Sequence, residues 1–261
     1  GSEMCIRDSS MGHEKGGTGP LIDLDLKQAA DKAIALQPEK RVLPFLYKDQ
    51  ALFIKRKVSN HRNAFAKQSV EGAFWCEVYK IMTVNQYFPL APEIVLLQDD
   101  YFVMKAVGKT LQGVAKEAPW ADCRLEAYRK AGESLARLHQ MGLHHGRPAL
   151  RDIAYDREQD KITFLDWENE KRFIDADPRV LDLFLFVHSC FREKSWKDRS
   201  LLETAMKAYC NSPVGRDILR QAKALIGKYR TAFALCEKLR CFGWRDVNSL
   251  DDARKFILER E

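Results

Sequence analysis

No stretch of this 261-residue chain approaches the roughly 20 consecutive apolar residues that a membrane-spanning helix needs. Even the run from Val180 to Phe191 is interrupted by Asp182 and His188. None of the seven cysteines (Cys5, Cys76, Cys123, Cys190, Cys210, Cys236, Cys241) forms a CxxC pair, and no Cys/His group has zinc-finger spacing. So odd and irregular a set reads as reduced core thiols of a cytoplasmic protein, not as a disulfide scaffold. Neither sign of charge dominates: 43 Lys+Arg against 37 Asp+Glu leaves +6. Basic residues interleaved with aromatics are missing too, so no nucleic-acid partner is expected. Internal repeats are absent. Hydrophobic residues make up 46% of the chain, which excludes a disordered protein.

Residues 1–20 read as a disordered or non-native tail. Gly1 and Ser2 look like a cloning scar, and 4–9 resemble a string that arises when sequencing-adapter DNA is translated. Gly16, Gly17, Thr18, Gly19 and Pro20 form a flexible lead-in. Met11 is followed by polar residues, which argues against a secretory leader.

From there the pattern divides in two. A short amphipathic helix is expected over 26–37, then strands over 41–47 and 51–58 around a turn at Lys48, Asp49 and Gln50. Phe65, Val70, Phe74, Val78 and Ile81 recur at helical spacing, which predicts a long helix over 62–87. Two more strands, 93–98 and 101–107, complete a small sheet. Beyond Gly108 the chain turns helical, over 121–140, 179–193, 199–211, 215–241 and 249–259. A loop over 142–152 and a hairpin of strands 153–155 and 161–165 interrupt the helices. The expectation is an α+β fold of two lobes, 21–108 and 109–261, with 1–20 outside both.

The chemistry concentrates between 135 and 168. Asp166 ends an apolar strand, where burial disfavours a charged carboxylate, so it needs a partner. Asp152 precedes the paired strand, and a hairpin brings the two ends together. Both carboxylates can then face one Mg²⁺. Spacing alone leaves open that Asp152 caps a turn and that Asp166 pairs with an arginine.

This segment resembles the catalytic core of the protein-kinase-like phosphotransferases, nearest to their lipopolysaccharide-kinase (Kdo/WaaP-type) and aminoglycoside/choline-kinase branches. The match runs through Leu135, Leu138 and His139; His145, Gly146, Arg147 and Asp152; and Ile162 to Asp166. It implies a two-lobed protein-kinase-like fold that binds ATP and Mg²⁺. By resemblance, Lys55 would hold the nucleotide's phosphates and Glu77 would pair with Lys55, with Glu71 as a competitor. Met104, Lys105 and Ala106 would form the hinge against adenine. Asp152 and Asp166 would bind the metal, and Asp182 would brace the catalytic loop. His139 and His145 read as structural, His144 and His188 carry no signal, and Trp167 reads as packing.

Two departures stand out. Residues 38–54 contain no glycine, so the loop that lets backbone approach phosphate closely is missing before Lys55. The position of the catalytic base holds Arg147, nineteen residues before Asp166, while Asp152, fourteen before it, falls where the family has a metal-binding asparagine. Arginine cannot accept a proton. Either the acceptor needs no base, or Asp152 serves as base as well as ligand, or nucleotide binds without transfer. Arg147 could also hold an acidic acceptor. Asp152, Arg147 and Asp166 are therefore the candidate catalytic residues.

Between Arg216 and Arg245 stand eight Lys/Arg against two Asp/Glu, with Arg216, Arg220 and Lys223 on one helical face. That is either a solvated face or a surface for anionic lipid or phosphorylated sugar, which implies peripheral contact at the inner face of the membrane. The expected activity is phosphoryl transfer to a sugar or lipid-linked saccharide of the lipopolysaccharide-core type. The alternative is a nucleotide-binding regulatory module, a pseudokinase.

Overall fold

The computed structural model describes residues 24–58, 70–168, 174–193, 199–239 and 243–260. The lead-in over 1–20 and the first part of the helix expected over 62–87 lie outside the described residues.

Helix α1 (Leu24–Leu36) precedes an antiparallel sheet of β1 (Val42–Tyr47), β2 (Gln50–Arg56), β3 (Ile94–Leu97) and β4 (Tyr101–Lys105), in the order β1-β2-β4-β3. β2 is thus an interior strand. The β1–β2 turn has only two residues, Lys48 and Asp49, with φ of 45° and 62°. Two positive φ values in a two-residue loop match the right-handed twist of the flanking strands. Side chains alternate along β2. Leu52 and Ile54 join Leu43, Tyr101 and Val103 on the face that α1 covers through Leu26 and Ala30. Tyr101 Oη pins α1 by donating to Asp31 Oδ1 at 2.8 Å. Lys55 points to the opposite face, toward α2 (Val70–Tyr87), whose Phe74, Glu77, Val78, Ile81 and Val84 are buried.

A second sheet, β5 (Lys109–Thr110), β6 (Ile153–Asp156) and β7 (Lys161–Phe164), lies in the helical half. Phe164 N donates to Leu90 O at 2.7 Å and ties the halves together. The helices are α3 (Leu111–Lys116), α4 (Arg124–Gln140), α5 (Pro178–Arg192), α6 (Ser200–Cys210), α7 (Pro213–Lys228), α8 (Arg230–Leu239) and α9 (Arg245–Glu259). A 3₁₀ turn, Ala118–Trp120, stands before α4. Ser212 caps α7 by accepting from Gly215 N, and Asp177 caps α5 by accepting from Arg179 N, each with Pro at the first helical position. α4 and α6 approach so closely that a Cβ on Gly132 would lie 2.0 Å from Ala205 O. One large apolar cluster runs from α2 through these helices.

The architecture is α+β, a small antiparallel sheet followed by a helical part. Several expected bounds change. The helix expected over 215–241 is two helices, broken at Tyr229, whose N–H closes the end of α7. α9 begins at Arg245 and not at 249. β5 and α3 were not expected at all. α3 is one short turn capped by the Thr110 hydroxyl, too brief to show a period. Among the described residues, no helix is long and apolar enough to cross a membrane.

Candidate functional site

The site forms where the second face of the first sheet meets the β6–β7 hairpin. Lys55 is 6% exposed. An ammonium that deep needs compensation. It has three carboxylates: Glu77 Oε1 at 2.7 Å, Asp166 Oδ1 at 3.1 Å and Glu168 Oε2 at 3.9 Å. Burial works against its charge, but Glu77 and Asp166 outweigh it and hold Lys55 above the ordinary lysine range. Glu71, the competitor, instead meets Lys57 at 3.3 Å on the surface. The two glutamates are six residues apart, which points them in different directions from one helix.

Asp166 follows β7 with φ of +62°. A non-glycine residue in this basin is uncommon, and such strain gathers at functional positions. The turn is over-determined by its neighbours. His145 Nε2 lies 2.7 Å from Leu165 O, and Trp167 Nε1 donates to Phe164 O at 2.8 Å. Trp167 is fully buried against His145. Burial would raise the Asp166 carboxyl, but Lys55 and then Arg147 overcome that and hold it below the usual range.

The hairpin places Asp152 beside this turn. Ile153 pairs with Phe164, and Leu165 N donates to Asp152 O at 2.7 Å. Arg147 stands between the two carboxylates, its Nη2 at 2.9 Å from Asp166 Oδ2 and 3.5 Å from Asp152 Oδ2. Asp166 thus pairs with an arginine as well as with Lys55. Among the described residues, Asp152 Oδ2 is buried without a hydrogen-bond partner, as is Arg147 Nε. Burial pushes Asp152 up to about 6, against the pull of Arg147.

The loop carrying Arg147 is braced from below. Asp182 on α5 accepts from His145 N at 2.5 Å and Gly146 N at 2.8 Å, with His139 Nε2 at 3.4 Å. His139 Nδ1 reaches Tyr209 Oη at 2.7 Å. Both histidines hold backbone and neighbours in place.

Two site residues escaped the sequence reading. Glu168 lies two positions past Asp166, and Arg41 at the entry to β1 engages it through both terminal nitrogens. The side-by-side seat of Asp166 and Glu168 follows from the turn at Asp166, outside β7, which no period in the sequence marks. Of the residues expected at the hinge, two have their backbone donors taken. Lys105 N donates to Glu93 O and Ala106 N to Ala51 O, each at 3.0 Å, and Lys105 Nζ pairs with Glu93 Oε2 at 2.7 Å. Met104 packs against the main core. Of the basic face on α7, Arg216 donates to the carbonyls of Cys210 and Asn211, Lys223 to that of Arg260, and Arg220 pairs with Asp217.

Among the described residues no group of three or more His, Cys, Asp or Glu could hold a metal. A magnesium ion bound with a nucleotide needs fewer protein ligands, commonly one or two carboxylates alongside phosphates and water. Asp152 and Asp166, with the unsatisfied Asp152 Oδ2, fit that donor set. Arg147 occupies the gap between them.

No protein-family model matches the chain. Over 189 residues, 71% of its length, it is 24% identical to an uncharacterized protein of Haemophilus influenzae, of which the match covers 77%.

Proposed function

We propose that the chain is a protein-kinase-like phosphotransferase that moves the terminal phosphoryl group of ATP to a hydroxyl of a sugar or lipid-linked saccharide. The buried Lys55, held by Glu77 from a helix and Asp166 from a strained turn, carries this reading. An ammonium fixed so firmly is a preorganised counter-charge for phosphate oxygens and needs no reorganisation when they arrive. Glu77 positions Lys55. Asp152 and Asp166 would hold Mg²⁺, which when bound neutralises phosphate charge. Arg147 cannot take a proton, so Asp152, raised toward neutrality, receives the one leaving the acceptor hydroxyl.

A second reading has its own observation. The β1–β2 turn spans two residues and no glycine, which leaves no loop to close over phosphates, and Arg147 fills the space between the carboxylates. Both features favour a nucleotide-binding regulatory module without transfer.

Thermal unfolding with ATP, with and without Mg²⁺, tests the common ground. A stabilisation that disappears in Lys55→Ala is expected, and no stabilisation of the wild type in either condition overturns both readings. Phosphate transfer over a panel of sugars then separates them. Nucleotide binding with no transfer to any acceptor selects the second.

A further inference from the structure

On the far side of Arg147 lies a cleft of about 370 Å³ that the phosphate site does not use. Arg147 and Arg151 line it from the loop, Arg192 from the end of α5 and Arg245 from the start of α9. Four arginines from three distant stretches of chain therefore line one concave surface.

Convergence of like charges is unfavourable unless something offsets it, and a cleft lined by one sign concentrates its field. The protein offsets part of it: Arg147 is met by Asp166 at 2.9 Å, Arg151 and Arg192 each approach one carboxylate, and among the described residues Arg245 is bonded to a carbonyl alone. Among the described residues Glu193 is the one carboxylate in the wall, and it is engaged by Lys116 at 2.8 Å and by Gln112 at 2.5 Å. Asp246 meets Arg192 through Nε at 2.6 Å. Arg151 approaches Asp152 at 3.6 Å and is otherwise open to solvent. Arg245 is held in place by two hydrogen bonds to Arg192 O, at 2.8 and 2.5 Å, so its charge is fixed at the wall. Ala149, Leu150 and Leu185 supply apolar surface between the arginines.

We infer that this cleft binds a phosphate monoester carried on a small polar molecule. A dianion answers clustered arginines better than a carboxylate, guanidinium forks match its oxygens, and the apolar patch suits the carbon face of a sugar ring. Arg147 is shared between the cleft and the carboxylate pair, which places the bound molecule next to the transferring group. That placement as acceptor rests on the phosphotransferase reading; the binding itself does not.

Calorimetric titration without nucleotide tests it, with inorganic phosphate, glucose 6-phosphate, glucuronate and glucose as probes, and sedimentation with phosphatidylglycerol vesicles as a separate arm. Glucose 6-phosphate should bind at least tenfold tighter than glucuronate, and glucose should not bind. Arg151→Gln and Arg192→Gln should each weaken it tenfold or more. Arg220→Gln, which removes the same charge from an exposed face of α7, should leave it unchanged. Lys55→Ala should also bind normally, which separates this site from the nucleotide site. No binding of glucose 6-phosphate at millimolar concentration overturns the inference. So does equal weakening by Arg220→Gln, and so does binding to the vesicles alone.

Discussion

Arg147 Nη2 donates to Asp166 Oδ2 across 2.9 Å, so the guanidinium already neutralises the carboxylate that a divalent cation would need. Arg147→Ala should therefore admit the ion. Mn²⁺ or Mg²⁺ affinity is expected to rise at least tenfold in that variant, read by metal titration, and to vanish again when Asp166→Asn is added. Unchanged metal affinity in Arg147→Ala would show that the arginine does not compete for the site.

Arg147→Asp restores the residue of the family pattern but puts a third carboxylate beside Asp152 and Asp166. Under the transfer reading, activity should fall by roughly two orders of magnitude or more, because like charges meet where phosphate must bind. A more active Arg147→Asp protein would mean that loss of the base, and not loss of a cation, limits the wild type.

Lys55→Met should cost about 3 kcal/mol of stability, because it leaves Glu77 buried without its counter-ion. Adding Glu77→Gln should recover most of that in urea denaturation. The double variant should still show no stabilisation by ATP. If the single variant unfolds at the wild-type midpoint, the pair is not a closed structural unit.

Asp152 titrates near 6 in the folded protein and near its ordinary value when unfolded, so folding binds a proton between about pH 4 and 6. Stability from this group is greatest at low pH and falls by roughly 2–3 kcal/mol as pH rises through that window. Asp152→Asn should remove the decline. The difference between variant and wild type, followed by urea midpoints from pH 4 to 7, should grow with pH in the variant's favour. A flat difference would place Asp152 in a more polar setting.

Gly132→Ala should be costly and Gly227→Ala should not. The first drives a methyl into Ala205 O on the neighbouring helix, with about 3 kcal/mol lost to overpacking. The second finds nothing within 4 Å and gains about 0.5–1 kcal/mol from reduced backbone freedom in the unfolded chain. Comparable melting temperatures would mean that α4 and α6 are looser than their closest approach implies.

What was readable in advance follows how local its cause is. The strands of the first sheet and the β6–β7 hairpin were legible, because turn residues and side-chain alternation act over a few positions; Lys55 meets Glu77 and Asp166 across 22 and 111 positions, and only the family resemblance pointed to them. The break at Tyr229 was not. Residues 215–241 keep a helical pattern throughout, and the Tyr229 N–H still reaches Leu225 O as in a continuing helix, so nothing local marks the end of α7. Arg147 showed itself as an anomaly in the loop, but its seat between two carboxylates depends on how the hairpin packs. Arg41 reaches Glu168 across 127 positions of sequence, a distance that no local signal spans.

The left-handed backbone at Asp166 also limits what can ever stand there. Glycine, asparagine and aspartate enter that basin most readily, and of the three only aspartate is charged. Backbone geometry thus narrows the choice before chemistry acts on it. A related chain that no longer needs the charge is free to drift, but along a short path, to asparagine or glycine first. A bulky or β-branched residue at this position would instead mark a chain in which the whole turn has been rebuilt.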